Sequence, residues 1–77
     1  MKVKVRQRAT VEVLSIVREL AEEGCWRPVR GAEVLSRACE RGLSMSEARR
    51  ALKRLLAEGE VYMPAPGFVK LVGSQQP

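Results

Sequence analysis

A chain of 77 residues with 14 Lys and Arg against nine acidic residues, hence a net charge of +5, makes one small basic domain. Its 45% apolar and 30% charged residues exclude a disordered tail, and no apolar run is long enough to span a bilayer. The absence of His, Asp and Asn excludes a catalytic triad, a histidine general base and a His-containing metal site.

Residues 1–8 alternate Val3 and Val5 with Lys2, Lys4, Arg6 and Arg8. As a strand this segment places the cations on one face; otherwise it is a solvated basic arm. In both forms these cations are candidates for phosphate contact. The segment lacks the apolar stretch of a secretory leader, so a cytoplasmic protein is expected.

The first helix is expected from Thr10, a candidate N-cap, to Glu23, with Gly24 placed to end it. At 3.6 residues per turn Val13, Leu14, Ile16, Val17, Leu20 and Ala21 share the core side. Val11 lies off that side and is a candidate dimer contact, so a monomer or a weak dimer is expected. Pro28 forbids continuation of the helix and biases Arg27 toward extended geometry. Val29 then becomes a one- or two-residue bridge to a later strand, and Trp26 is expected to pack on the C-terminal hairpin.

A second helix follows from Gly31 to Arg41, stopped by Gly42, with Ala32, Val34, Leu35, Ala38 and Cys39 on its apolar side. Cys25 and Cys39 do not form a CxxC pair and cannot close a tetrahedral zinc site alone, so no metal and no cofactor are expected. They read as small core or near-surface hydrophobes, with a disulfide open to a hyperthermophile.

Ser44-Met45-Ser46-Glu47 is a capping box, so the third helix starts at Met45 and runs to Glu58, with Gly59 at C′. The link Gly42-Leu43-Ser44 is short enough for a helix-turn-helix. Ala48, Ala51, Leu52, Leu55, Leu56 and Met45 form the expected buried side of this helix. The adjoining arc carries Ser46, Arg49, Arg50, Lys53, Arg54 and Ala57, with Glu47 and Glu58 at its edges. Cations around small residues suit close approach to a nucleic-acid groove.

Beyond Gly59 the apolar period falls to two. Glu60–Met63 and Phe68–Val72 read as strands joined by Pro64-Ala65-Pro66-Gly67, a proline-stiffened hairpin. Lys70 is its one cation, the tip is apolar, and Tyr62 and Phe68 are expected to pack in the core or across the strands, with base-stacking platforms as the alternative.

The predicted fold is therefore α+β and mainly helical: a winged helix, in which a three-helix helix-turn-helix core is closed by a two-stranded hairpin wing. Residues 1–8 form the basic arm, residues 9–72 the domain, and residues 73–77 a flexible tail. The expected function is non-enzymatic binding of double-stranded DNA through the third helix. The candidate contacts are Ser46, Arg49, Arg50, Lys53 and Arg54, with Lys70 of the wing and Lys2, Lys4, Arg6 and Arg8 of the arm. The alternative is a protein-interaction winged helix that docks through its apolar wing and first helix.

The hairpin Gly59-Glu60-Val61-Tyr62-Met63-Pro64-Ala65-Pro66-Gly67-Phe68-Val69-Lys70 resembles the C-terminal winged-helix domain of archaeal minichromosome maintenance (MCM) replicative helicases. That family reads G-x-[IV]-[YF]-x-P-x-x-G-[YF]-[IV]-K there. The preceding helix is similar to the family's E-x-x-x-x-L-x-x-L-x-x-x-G register through Glu47, Leu52, Leu55 and Gly59. The resemblance covers residues 11–72. It implies a regulatory accessory module appended to a hexameric helicase, with modest DNA affinity of its own; an accessory role in DNA replication or transcription, nucleoid association, a replication or transcription protein as a further partner and no membrane are the expectations. It does not imply ATPase activity, because the chain lacks a G-x-x-x-x-G-K-[ST] loop. Met1 and the basic start differ from a helicase fragment and suggest a free-standing protein.

Overall fold

A computed structural model of the chain describes residues 8–72; the expectations for Lys2, Lys4, Arg6 and the tail lie outside the described residues. Three helices, α1 (Arg8–Glu23), α2 (Gly31–Glu40) and α3 (Met45–Ala57), pack against an antiparallel sheet of β1 (Val29–Arg30), β2 (Val61–Tyr62) and β3 (Phe68–Leu71). The sheet order is β1-β3-β2, so β3 lies between the hairpin partner and the bridge that follows α1. Val29 pairs with Val69 as the bridge expectation requires, and Val61 pairs with Leu71.

The core follows the two periods of the sequence. α1 contributes Val13, Ile16, Val17, Leu20 and Ala21; α2 contributes Val34 and Ala38; α3 contributes Ala48, Ala51 and Leu55. The sheet adds Val29, Val61, Val69 and Leu71 from its inner side. Leu14, Leu35, Leu43, Leu52 and Leu56 pack against the edge of this cluster. No helix among the described residues is long and apolar enough to cross a membrane.

The helix ends show which local signals prevail. Ser44 Oγ accepts from the Glu47 amide at 3.0 Å, and the Glu47 carboxylate accepts from the Ser44 amide at 2.9 Å, completing the capping box. Gly59 sits at φ 78°. Its amide donates to the Leu56 carbonyl and the Glu60 amide to the Leu55 carbonyl, a Schellman closure of α3. α2 has no side-chain cap at Arg30, but its first amide, Gly31, donates to the Gly67 carbonyl at 2.9 Å. The hairpin tip thus satisfies an orphan donor of α2.

α1 ends at Glu23, ahead of Gly24, as expected, but its start and the backbone of its closing turn differ from expectation. It is already helical at Arg8, the first described residue, so Thr10 is not its N-cap; Thr10 lies inside the helix, 1% exposed, and Oγ1 finds no hydrogen-bond partner among the described residues. At the other end Gly24 is not the left-handed residue. Cys25 and Trp26 take φ 56° and 65° instead, and their amides donate to the Glu22 and Ala21 carbonyls. The Schellman geometry is therefore made one residue later, by residues with side chains.

Several packing expectations are also corrected. Trp26, in the turn after α1, is 39% exposed; Tyr62 is not in the core but stands 43% exposed across the strands from Lys70, the cross-strand place that was the alternative. Ala32 and Cys39 lie exposed on the flank of α2, and Met45, in the first turn of α3, projects beyond the core at 42% exposure. Cys25 and Cys39 are both free and exposed.

The hairpin loop turns on Ala65-Pro66-Gly67-Phe68. The Phe68 amide donates to the Ala65 carbonyl at 3.0 Å, Pro66 fixes the first corner, and Gly67 takes φ 82° at the second. β2 ends at Tyr62, so Met63 belongs to the loop rather than to the strand.

Candidate nucleic-acid interface

α3 is anchored by Ala48, Ala51 and Leu55, which are all buried, and this fixes what its other face presents. Ser46, Arg49, Arg50, Lys53, Arg54 and Ala57 are exposed, as the wheel requires. Met45, Ser46, Arg49, Arg50 and Lys53 line one shallow, solvent-open depression along the N-terminal half of the helix. No carboxylate lines it. Met45 is the member that the wheel assigned to the core.

Arg54 stands apart from this strip. Its Nε donates to Glu58 Oε2 at 3.2 Å across one helical turn, so its charge is locally compensated by an acid of the same helix. The absence of acids from the arc therefore holds for Arg49, Arg50 and Lys53 but not for Arg54. Among the described residues those three cations enter no side-chain hydrogen bond or salt bridge.

The other cations divide in the same way. Arg37 donates to both Glu23 oxygens, at 3.3 and 3.5 Å, and the hydrogen bond and charge of Glu23 raise its pKa above the usual arginine range. Arg41 reaches Glu12 at 3.5 Å and makes a close ion pair with Glu19. Acids of α1 thus compensate the cations at the C-terminal end of α2, and α3 keeps its strip uncompensated.

Two expected contacts are not brought to the strip. Arg8 opens α1 in a depression shared with Glu12, Arg41 and Glu47. Lys70 sits half-buried on the outer side of the sheet, opposite Tyr62. Arg30, exposed and opposite Phe68, was not singled out in the sequence. The strand alternation that buries Val29 is the signal that places it outside. A second, largely apolar hollow is lined by Ala32 and Leu35 of α2, Leu52 of α3, and Pro66 and Phe68 of the hairpin.

Among the described residues no group of three or more His, Cys, Asp or Glu side chains is placed to hold a metal ion. No family model, curated protein or solved structure matches the chain.

Proposed function

We propose that this chain is a non-catalytic winged-helix module that binds double-stranded DNA, with α3 as the element laid in the major groove. One observation carries the reading: Ser46, Arg49, Arg50 and Lys53 form an exposed, carboxylate-free strip whose cations have no partner among the described residues. Such a strip gives phosphate oxygens and base edges their donors while Ser46 leaves room for close approach. The order helix, strand, helix, helix, hairpin and the three-residue link between α2 and α3 support a helix-turn-helix with a wing. Arg54, paired with Glu58, has a lesser role than the other three.

The resemblance of residues 59–70 to the archaeal helicase domain supports an accessory role in replication or transcription. A second reading, docking to a protein of such an assembly, is favoured by the apolar hollow between α2, α3 and the hairpin and by the exposure of Met63.

Fluorescence anisotropy of a labelled duplex over a salt series tests the first reading. If roughly three to six phosphates are neutralised, log K falls against log salt with a slope of about −2.7 to −5.4. A flat salt response, or no binding at about 50 mM salt, overturns it.

A further inference from the structure

We propose that the outer side of the sheet is a second nucleic-acid surface, one that takes unpaired bases by stacking on Tyr62 and Phe68. The strand alternation sends Val29, Val61, Val69 and Leu71 into the core and leaves Arg30, Tyr62, Phe68 and Lys70 on the opposite side. The register then makes two cross-strand pairs, Arg30 with Phe68 and Lys70 with Tyr62. Each ring has a cation directly across from it. Directly opposed side chains lie about 5 Å apart and diagonal ones about 7–8 Å, so the two rings are diagonal neighbours on one open face.

This combination is the chemistry of single-strand recognition. Every base has a π-face that an exposed ring can receive, and a cation beside each ring meets the phosphate that accompanies the base. An aromatic residue serving only to fill the core would be buried, whereas Tyr62 is 43% exposed and Phe68 is half-buried, with one side against the hollow of α2 and α3. Arg30 enters no ion pair among the described residues. The platform is short. Glu33 lies beside Arg30 and Phe68 in the depression at one end, and Glu60 precedes Tyr62 by two positions at the other. Acids at both ends limit the surface to about two bases, within a backbone track of the size that single-strand binders use. Of α3 only Leu52 borders this face, beside Phe68, and none of the cations of the α3 strip belongs to it.

Tyr62 and Phe68 are the one tyrosine and the one phenylalanine of the chain, so their ring protons are identified without ambiguity. The test is a proton NMR titration of the full chain with an oligothymidylate of about eight nucleotides, beside an abasic oligomer of equal length and charge. Upfield shifts of both rings with the thymidylate, and not with the abasic oligomer, are expected. Tyr62→Leu with Phe68→Leu should weaken single-strand binding at least about fivefold while duplex affinity stays within twofold. Arg50→Glu with Lys53→Glu should leave the ring shifts in place. Rings that do not move at saturation, or equal binding of the abasic oligomer, overturn the proposal. Rings that shift with an acidic peptide but not with the thymidylate also overturn it, by assigning the face to a protein.

Discussion

Arg50 and Lys53 are the residues on which the duplex reading turns. Both are exposed, neither is paired among the described residues, and the helix beneath them is held by Ala51 and Leu55. Arg50→Glu with Lys53→Glu should therefore alter stability by only about 0.5 kcal/mol or less per site. Duplex binding should fall at least tenfold, about 1.4 kcal/mol. The control must reverse two charges that hold nothing together. Arg37 is unsuitable because it grips Glu23, whereas Arg18 and Arg27 are exposed and unpaired among the described residues. Equal loss from both double mutants in the anisotropy assay would make the attraction diffuse. Thr10 gives a separate test of the core. Its hydroxyl is buried with no hydrogen-bond partner among the described residues, and Val has nearly the same shape. Thr10→Val should stabilise the fold by roughly 1 kcal/mol in urea denaturation. A loss of stability would mean that the hydroxyl is satisfied.

The elements differ in how their ends are made, and glycine substitution reads the difference. Gly59 closes α3 at φ 78°, so Gly59→Ala should cost about 1 kcal/mol or more. Gly24 has no positive φ, and a Cβ there would meet only the Leu20 carbonyl at 3.4 Å. Gly24→Ala should be neutral or stabilising by up to about 0.5 kcal/mol, since alanine is the better helix former. Comparable urea midpoints for the two variants would contradict this assignment. The contrast also marks what the sequence could tell. α3 and the hairpin were legible because Ser44, Glu47, Gly59 and Pro66-Gly67 are local chemistry that sets its own backbone. The bridge at Val29 was legible because Pro28 breaks the helical path. α1 was not legible in its start or its closing turn: a threonine resembles a cap wherever it stands, and nothing local announces that Cys25 and Trp26 take the left-handed turn. Helical angle gives direction but not depth, so Met45 read as core although its turn projects past it, while Cys39, beside the buried Ala38, lies on the flank of α2. The strip on α3 was visible in the sequence; the compensation of Arg54 needed the fold.

At the scale of the molecule, the net charge of +5 is distributed by pairing. Acids of α1 meet Arg37 and Arg41 of α2, while Arg49, Arg50 and Lys53 of α3 remain open. Arg18, Arg27 and Arg30 are also unpaired among the described residues but lie on α1, the loop after it and β1. The three cations of α3 instead line one depression, so on the duplex reading a polyanion is expected to be drawn to α3. The apolar hollow beside the hairpin tip and the outer side of the sheet do not share the strip's residues. Binding of a duplex should therefore leave a local footprint. The direct measurement is a nitrogen-15 chemical-shift titration of the full chain with a short random duplex at low salt. The largest backbone shifts are expected at Ser46, Arg49, Arg50 and Lys53. Shifts confined to Met63–Phe68 and Val11 with α3 unmoved, or no shifts at all, would contradict it.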